Sequence, residues 1–266
     1  MDDRTAGGRH SPDGAGALAG SVAVVTGAST GIGRAIALAL AREGADVALT
    51  YRSEQATARV VADEIRALSR RAEVFRMELA DAASIEALGR DARDAFGRVD
   101  IWVNNAGADI LTGAAAQLSD LEKLDRLLME DLRGTVLASW EAARLMRAQP
   151  AGGVILNVSW DHVVTGMAGR NPQMFSAAKG GILSFSKSLA RSVAPTVRVN
   201  ILAPGWIETE FGSGLNERFY RQVAESTPLG RWGTPDDVAR AAVFLASRDA
   251  AFLTGQVLFV GGGIVM

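Results

Sequence analysis

The chain has 266 residues, of which 48% are apolar and 22% charged, and its formal net charge is −2. This composition allows a large hydrophobic core, and the absence of cysteine excludes disulfides, a thiolate nucleophile and a cysteine-ligated metal. The sequence contains no run of like charges of the kind that indicates a nucleic-acid-binding surface. No apolar stretch approaches the roughly 18 residues needed to span a membrane. We therefore expect a cytoplasmic protein without a nucleic-acid or membrane partner.

The first residues differ in composition from the rest. Residues 1–19 are rich in Gly, Ala, Asp and Ser, and they lack the apolar run of about 7–15 residues that a secretory signal requires. We predict a disordered tail over 1–19. No linker or repeat divides the remainder, so residues 20–266 are predicted to form one domain.

Short apolar runs then alternate with longer helical patterns. The predicted strands are residues 21–26, 45–51, 73–78, 99–104, 154–159, 197–202 and 256–260. The predicted helices are residues 31–42, 54–70, 82–96, 121–148 with a break near Gly134, 174–192 and 236–247. The alternation predicts an α/β fold, a single doubly wound Rossmann-type domain with a parallel sheet of about seven strands. In such folds ligands bind beyond the carboxyl ends of the strands.

A glycine-rich loop joins the first strand to the first helix. Its sequence is Thr26-Gly27-Ala28-Ser29-Thr30-Gly31-Ile32-Gly33. Glycines let the backbone approach a pyrophosphate, which the helix N-terminus stabilises. The second strand ends at Tyr51-Arg52-Ser53, where an NAD site usually has Asp or Glu. Because a guanidinium suits a 2′-phosphate, NADP(H) is favoured over NAD(H), the alternative being a merely solvated Arg52.

Four motifs in order resemble the short-chain dehydrogenase/reductase family, in its 3-oxoacyl-carrier-protein-reductase-like branch. They are Thr26-Gly-x-x-x-Gly31-x-Gly33, Asn104-Asn105-Ala106-Gly107, the lysine Lys179 and Pro204-Gly205. The resemblance covers roughly residues 20–263. It implies a nicotinamide-dependent oxidoreductase acting on a small molecule. It also implies a homo-oligomer, usually a tetramer, built partly from the predicted helices 121–148 and 174–192.

The loop and the resemblance together imply a set of dinucleotide contacts. Glu78 and Leu79 would lie at the adenine, Lys179 would hold the nicotinamide ribose, and Pro204 onward would flank the nicotinamide. The full set is Gly27, Ser29, Thr30, Gly31, Ile32, Gly33, Arg52, Ser53, Glu78, Leu79, Asn105, Ala106, Gly107, Lys179, Pro204, Gly205, Ile207 and Thr209.

The implied catalytic tetrad is degenerate, because only Lys179 matches the family. Phe175 stands where the family has the tyrosine of Tyr-x-x-x-Lys, and phenylalanine cannot donate a proton. Trp160 stands where a serine holds the substrate oxygen, with Ser159 one place early. Asp131 replaces the helix asparagine.

Either another group supplies the proton, for which the candidates are Asp131, Asp161 and His162, or the substrate does not need it in the same way. An imidazole near neutral pH is a natural donor, and Asp161 could orient it. Alternatively, His162 has no role and Asp131 is a structural hydrogen-bond acceptor. Residues 208–227 would cover the substrate. Within or beside them Tyr220, Trp206 and Phe211 are candidate contacts. No metal-binding spacing is present.

The substitutions also suit a different substrate. An iminium needs hydride but no proton on a developing oxyanion, and Trp160 could add a cation–π contact of about 0.5–2 kcal/mol. Activated conjugated acceptors and unusual carbonyls are further classes. The sequence thus favours an NADP(H)-dependent reductase with atypical catalytic residues. The alternatives are a non-redox enzyme, such as a cyclase or isomerase, and a non-catalytic cofactor-binding subunit.

Overall fold

The computed structural model of the protein describes residues 16–209 and 216–266. Seven parallel strands form one sheet in the order β3-β2-β1-β4-β5-β6-β7. The strands are β1 (Val22–Val25), β2 (Asp46–Tyr51), β3 (Ala72–Arg76), β4 (Ile101–Asn104), β5 (Gly153–Val158), β6 (Val197–Pro204) and β7 (Val257–Val260). The strand order reverses between β1 and β4, which is where doubly wound folds bind ligands. The predicted single α/β domain with a seven-stranded parallel sheet is confirmed.

Helices cover both faces of this sheet. They are α1 (Gly31–Arg42), α2 (Gln55–Ala67), α3 (Ala82–Phe96), α4 (Asp120–Arg126), α5 (Thr135–Arg147), α6 (Arg170–Val193), α7 (Glu217–Ser226) and α8 (Pro235–Ala246). Along β1, Val25 joins the core formed with α1 and α8, whereas Val24 joins the core formed with α3 and α5. Because both faces are buried, the central strands β1, β4 and β5 carry continuous apolar runs rather than alternating ones.

The predicted helix 121–148 does not break at Gly134. Instead α4 continues into a π-helical turn over Leu127–Gly134, and α5 follows directly. Such turns often occur at functional sites. Helix α6 begins at Arg170, before the predicted residue 174, because Pro172 falls in its first turn, where a missing N–H is tolerated.

The predicted tail boundary at residue 20 is too late. Leu18 is only 4% exposed and belongs to the core cluster of α1 and α8. Its N–H donates to the carbonyl of Glu43 at 2.8 Å. The folded part therefore includes residues 16–19. The remainder of the predicted tail, 1–15, lies outside the described residues.

A buried polar network joins the centre of the sheet to two helices. Asn104 and Asn157 are register partners on β4 and β5. The Asn104 side chain donates to Asn157 Oδ1 at 2.8 Å and to Ser139 Oγ of α5 at 3.0 Å. Asn157 Nδ2 donates to Ser186 Oγ of α6 at 2.8 Å. The network thus fixes α5 and α6 relative to the carboxyl ends of the central strands.

Candidate active site

Two adjoining clefts open at the carboxyl ends of the strands. The loop cleft, about 440 Å³, lies over the glycine-rich loop and the ends of β2 and β3. The aromatic cavity, about 710 Å³, lies over the ends of β5 and β6. The residues common to both linings are Thr30, Gly31, Ile32, Asn105, Gly107 and Thr209.

The glycine-rich loop is held in a shape that can receive an anion. The Asn105 side chain donates to the carbonyls of Thr26 and Gly27, at 3.0 and 3.1 Å. A Cβ at Gly33 would lie 2.2 Å from the Gly27 carbonyl oxygen, so this close approach requires glycine. Thr30 provides no side-chain cap to α1. The first-turn N–H groups of α1 therefore suit a pyrophosphate.

Every residue predicted to contact the dinucleotide lies on one of the two clefts. On the loop cleft are Gly27, Ser29, Thr30, Gly31, Ile32, Gly33, Arg52, Ser53, Glu78, Leu79, Asn105, Ala106, Gly107 and Thr209. On the aromatic cavity are Lys179, Pro204, Gly205 and Ile207. The sheet ends bring these distant segments of the chain together in one continuous surface.

Lys179 and Asp131, two members of the predicted catalytic set, form a buried ion pair. Lys179 Nζ of α6 lies 2.9 Å from Asp131 Oδ2 of the π-helical turn, and both side chains are buried. The Ala108 N–H donates to the other carboxylate oxygen at 2.6 Å. Lys179 Nζ also donates to the carbonyl of Val158 at 3.4 Å. Asp131 thus compensates the buried charge of Lys179, which would otherwise be costly.

Two aromatic rings stand where the family resemblance implies hydroxyl groups. Trp160 and Phe175 both line the aromatic cavity, and their rings meet edge to face with centroids 5.3 Å apart. The Phe175 ring centroid lies 5.5 Å from Lys179 Nζ. Ser159 Oγ donates to the backbone carbonyl of Lys179 at 2.8 Å. The Ser159 hydroxyl proton is therefore engaged in this internal hydrogen bond.

Asp161 and His162 contact each other behind the cavity wall. Asp161 Oδ1 lies 2.5 Å from His162 Nδ1, so the carboxylate orients the imidazole although the two residues are adjacent. The imidazole stacks on Trp160 at 4.8 Å between centroids. Trp160 lines the cavity, but Asp161 and His162 are not among its lining residues. This placement favours a supporting role for His162 over direct proton donation.

The second carboxylate oxygen of Asp161 approaches the backbone so closely at two positions that both require glycine. Asp161 is completely buried, and its Oδ2 has no hydrogen-bond partner among the described residues. A Cβ at Gly205 or Gly261 would lie 2.5 or 2.2 Å from that oxygen. Both positions therefore admit only glycine without a shift of the Asp161 side chain.

The predicted substrate-covering segment is partly described. The Tyr220 hydroxyl donates to the Glu208 carboxylate, which raises the pKa of the phenol, and the ring stacks on Trp232 at 5.0 Å. Tyr220 does not line the aromatic cavity, whereas Trp206 does. Phe211 lies outside the described residues.

Sequence reasoning missed several lining residues. Glu130 lines the loop cleft and forms an ion pair with Arg52. It is adjacent to Asp131, and neighbours on a regular helix do not share a face, so helical spacing gave no signal for it. Met167, Asn171 and Pro172 line the aromatic cavity from the segment around the start of α6. Their positions depend on the path of the β5–α6 loop.

Two findings concern classes of partner. Within residues 16–209 and 216–266, no group of three His, Asp or Glu side chains is placed to hold a metal ion. In the same ranges no helix has both the length and the apolar character needed to cross a membrane.

Comparison with known proteins identifies a family that has this α/β fold, and the match begins in the glycine-rich loop. The profile of the family described as enoyl-(acyl carrier protein) reductase matches residues 27–265. The chain belongs to the short-chain dehydrogenase/reductase family. It is 38% identical to the 3-oxoacyl-[acyl-carrier-protein] reductase of Escherichia coli over 249 residues, 93% of this chain and 98% of that protein. The corresponding reductase of Synechocystis is 38% identical over 253 residues, 94% of this chain and 99% of that protein.

Solved structures of the family superpose closely. A short-chain dehydrogenase/reductase from Serratia marcescens gives a TM-score of 0.84 at 32% identity, covering 94% of this chain and 99% of that chain. A 7α-hydroxysteroid dehydrogenase, solved with NADH and 7-oxo glycochenodeoxycholic acid, gives 0.84 at 30% identity, with coverages of 93% and 95%. This chain is accordingly an oxidoreductase of a family that binds a nicotinamide cofactor.

Proposed function

We propose that the protein is an NADP(H)-dependent reductase that transfers hydride to a small organic substrate without a tyrosine acid. The observation that carries this proposal is the buried Lys179–Asp131 ion pair beside a cavity walled by Trp160 and Phe175. The surface proposed for the dinucleotide thus adjoins a cavity that lacks the tyrosine implied by the family resemblance.

The chain's own residues fit the cofactor. The N-terminus of α1 would hold the pyrophosphate, Arg52 would meet a 2′-phosphate, and Lys179 would meet the nicotinamide ribose. When bound, the nicotinamide supplies the hydride. The groups that face the substrate are then the ammonium of Lys179 and the two aromatic walls, while the carboxylate of Asp131 pairs with Lys179 from outside the cavity lining.

The charge balance of the cavity supports a cationic substrate class. Asp131 neutralises Lys179, so an iminium would not meet a net positive charge. The Trp160 ring could contribute a cation–π contact of about 0.5–2 kcal/mol. An iminium accepts hydride at carbon and needs no proton on oxygen. Activated conjugated acceptors and unusual carbonyls are also compatible, with Lys179 as a proton-bearing group that lines the cavity.

The test is NADPH consumption, followed by its absorbance, on a matched panel. The panel contains a cyclic iminium, an activated enone and a 3-oxoacyl thioester. We expect turnover of the iminium or the enone and little turnover of the thioester. Preferred reduction of the thioester would contradict the atypical chemistry. Binding of NADPH with no consumption on any member would favour the non-redox alternative.

We further propose that the protein is a cytoplasmic homotetramer, as the family resemblance implies. Trp140 of α5 is 55% exposed, and it contacts Phe185 of α6 edge to face at 6.2 Å. These helices are the ones expected at the subunit contacts. An exposed tryptophan on such a face is typical of an interface core.

A further inference from the structure

The part of the loop cleft next to Arg52 carries mixed charge. Among the described residues that line this cleft, Arg52 is the guanidinium, and Glu54, Glu78 and Glu130 are the carboxylates. Among the lining residues a 2′-phosphate would therefore meet three carboxylates and one guanidinium, with Arg126 next to Glu130. The affinity of the cleft for a 2′-phosphate then depends on which residue is paired with Arg52.

That partner is Glu130, which reaches Arg52 from the opposite wall. Arg52 Nη1 lies 3.0 Å from Glu130 Oε2, although the two residues are far apart in sequence. Arg52 follows the last residue of β2, whereas Glu130 belongs to the π-helical turn. The Arg52 side chain is 48% exposed and Glu130 is 16% exposed, so the arginine is the partner more accessible to an incoming ligand.

Glu130 has a second partner that would remain if Arg52 left. Arg126, one helical turn earlier, donates from Nε to Glu130 Oε1 at 2.9 Å. If Arg52 moved away, the Glu130 carboxylate would therefore still be paired with Arg126. The same contact keeps Glu130 at the cleft wall, where it remains next to any incoming phosphate.

We propose that Glu130 is a specificity-determining residue that competes with the 2′-phosphate of NADP(H) for Arg52. The inference rests on the proposed use of NADP(H). Binding of a phosphorylated cofactor requires Arg52 to exchange a carboxylate for a phosphate, whereas binding of NAD(H) leaves the Arg52–Glu130 pair intact. Glu130 thus lowers the preference for NADP(H) that Arg52 provides.

The test is calorimetric titration of the full-length protein with NADPH and NADH. Glu130→Gln removes a carboxylate that pairs with Arg52 and would repel the 2′-phosphate. Because ion pairs near the surface contribute little free energy, we expect the change to tighten NADPH binding by about three- to tenfold. NADH binding should change by less than about twofold, since no phosphate competes there. The gain should shrink at high salt, because screening weakens exposed charges. A thermal melt verifies that the variant is folded.

Glu54→Gln is the matched control, because it removes another carboxylate of the same cleft. It should tighten NADPH binding less than Glu130→Gln. A second control is the Arg52→Ala background, in which the Glu130→Gln gain should become smaller, as expected for coupled residues. An equal gain from Glu54→Gln, or no gain from Glu130→Gln, would overturn the competition.

These outcomes are separable from failure of the proposed function. If the unchanged protein binds NADH more tightly than NADPH, but Glu130→Gln selectively tightens NADPH, the cofactor proposal fails and the competition stands. If NADPH is preferred and Glu130→Gln has no effect, the competition fails and the cofactor proposal stands.

Discussion

Lys179 and Asp131 pair within 2.9 Å in the interior, one on α6 and the other on the π-helical turn. The family resemblance implies a neutral asparagine at the second position and a tyrosine near the first. At these positions the chain carries Phe175 and the carboxylate of Asp131. Without the phenol, the Lys179 charge faces an apolar ring, and Asp131 provides the compensation.

Removal of the Asp131 carboxylate should destabilise the fold. Asp131→Ala leaves a buried, uncompensated ammonium and should cost about 3–5 kcal/mol of unfolding free energy. Asp131→Asn keeps a hydrogen-bond acceptor for the Ala108 N–H and should cost less. Urea unfolding measures both. Asp120→Asn, at an exposed ion pair with Arg170, is the control and should cost no more than about 1 kcal/mol. Equal losses at the two positions would contradict a compensating role for Asp131.

A change at His162 should affect turnover more than cofactor binding. His162→Ala removes the ring that stacks on Trp160, and we expect turnover to fall by at least about tenfold with NADPH affinity nearly unchanged. His162→Asn retains a donor for Asp161 and should keep more of the turnover if His162 only positions Trp160. If both variants lose turnover equally and the pH–rate profile loses one limb, His162 is the acid instead.

Restoring the phenol alone should not create an ordinary ketoreductase. Phe175→Tyr still leaves Trp160 in place of the serine, and Ser159 remains hydrogen-bonded to the Lys179 carbonyl. We expect little gain in 3-oxoacyl thioester reduction, measured by NADPH consumption. Efficient reduction by this single variant would indicate that the rest of the site is conventional.

The buried network around Asn104 and Asn157 should contribute to the free energy of unfolding. Asn157→Ala removes the acceptor for Asn104 Nδ2 and the donor to Ser186. Loss of partners for buried polar groups should cost about 1–3 kcal/mol, measured by urea unfolding. Gln256→Ala, at an exposed side chain, is the control and should change stability by less than about 0.5 kcal/mol. No difference between the two variants would contradict a structural role for the network.

The proposed tetramer is tested by light scattering at micromolar protein concentration. We expect a tetramer for the unchanged protein and smaller species for Trp140→Arg, because a charge on the exposed α5 face would disfavour an apolar contact. Gln222→Arg, at an exposed position of α7 away from α5 and α6, is the charge-matched control and should remain tetrameric. A monomer for the unchanged protein would refute the proposal.

Local patterns were sufficient to predict the fold and to mark residues that line the loop cleft. The central strands are buried on both faces and the glycine-rich loop has its typical spacing, so both features are visible in short windows of sequence. Contacts between distant segments were not visible. The Asp131–Lys179 pair, the position of His162 behind Trp160 and the Arg52–Glu130 pair all depend on how helices pack against the sheet. Leu18 was missed because one leucine in a small-residue segment carries no periodicity.

The π-helical turn gives the site an unusual sensitivity to chain length. Glu130 contacts the loop cleft, and its neighbour Asp131 reaches Lys179, so consecutive residues serve opposite ends of the site. Deleting one residue from 127–129, ahead of both carboxylates, would let the segment relax to an ordinary α-helix. Because each residue advances an α-helix by about 100°, both carboxylates would then point elsewhere while the helix itself survived. A one-residue deletion here would alter cofactor choice and the cavity charge together, which no single substitution at either position would do.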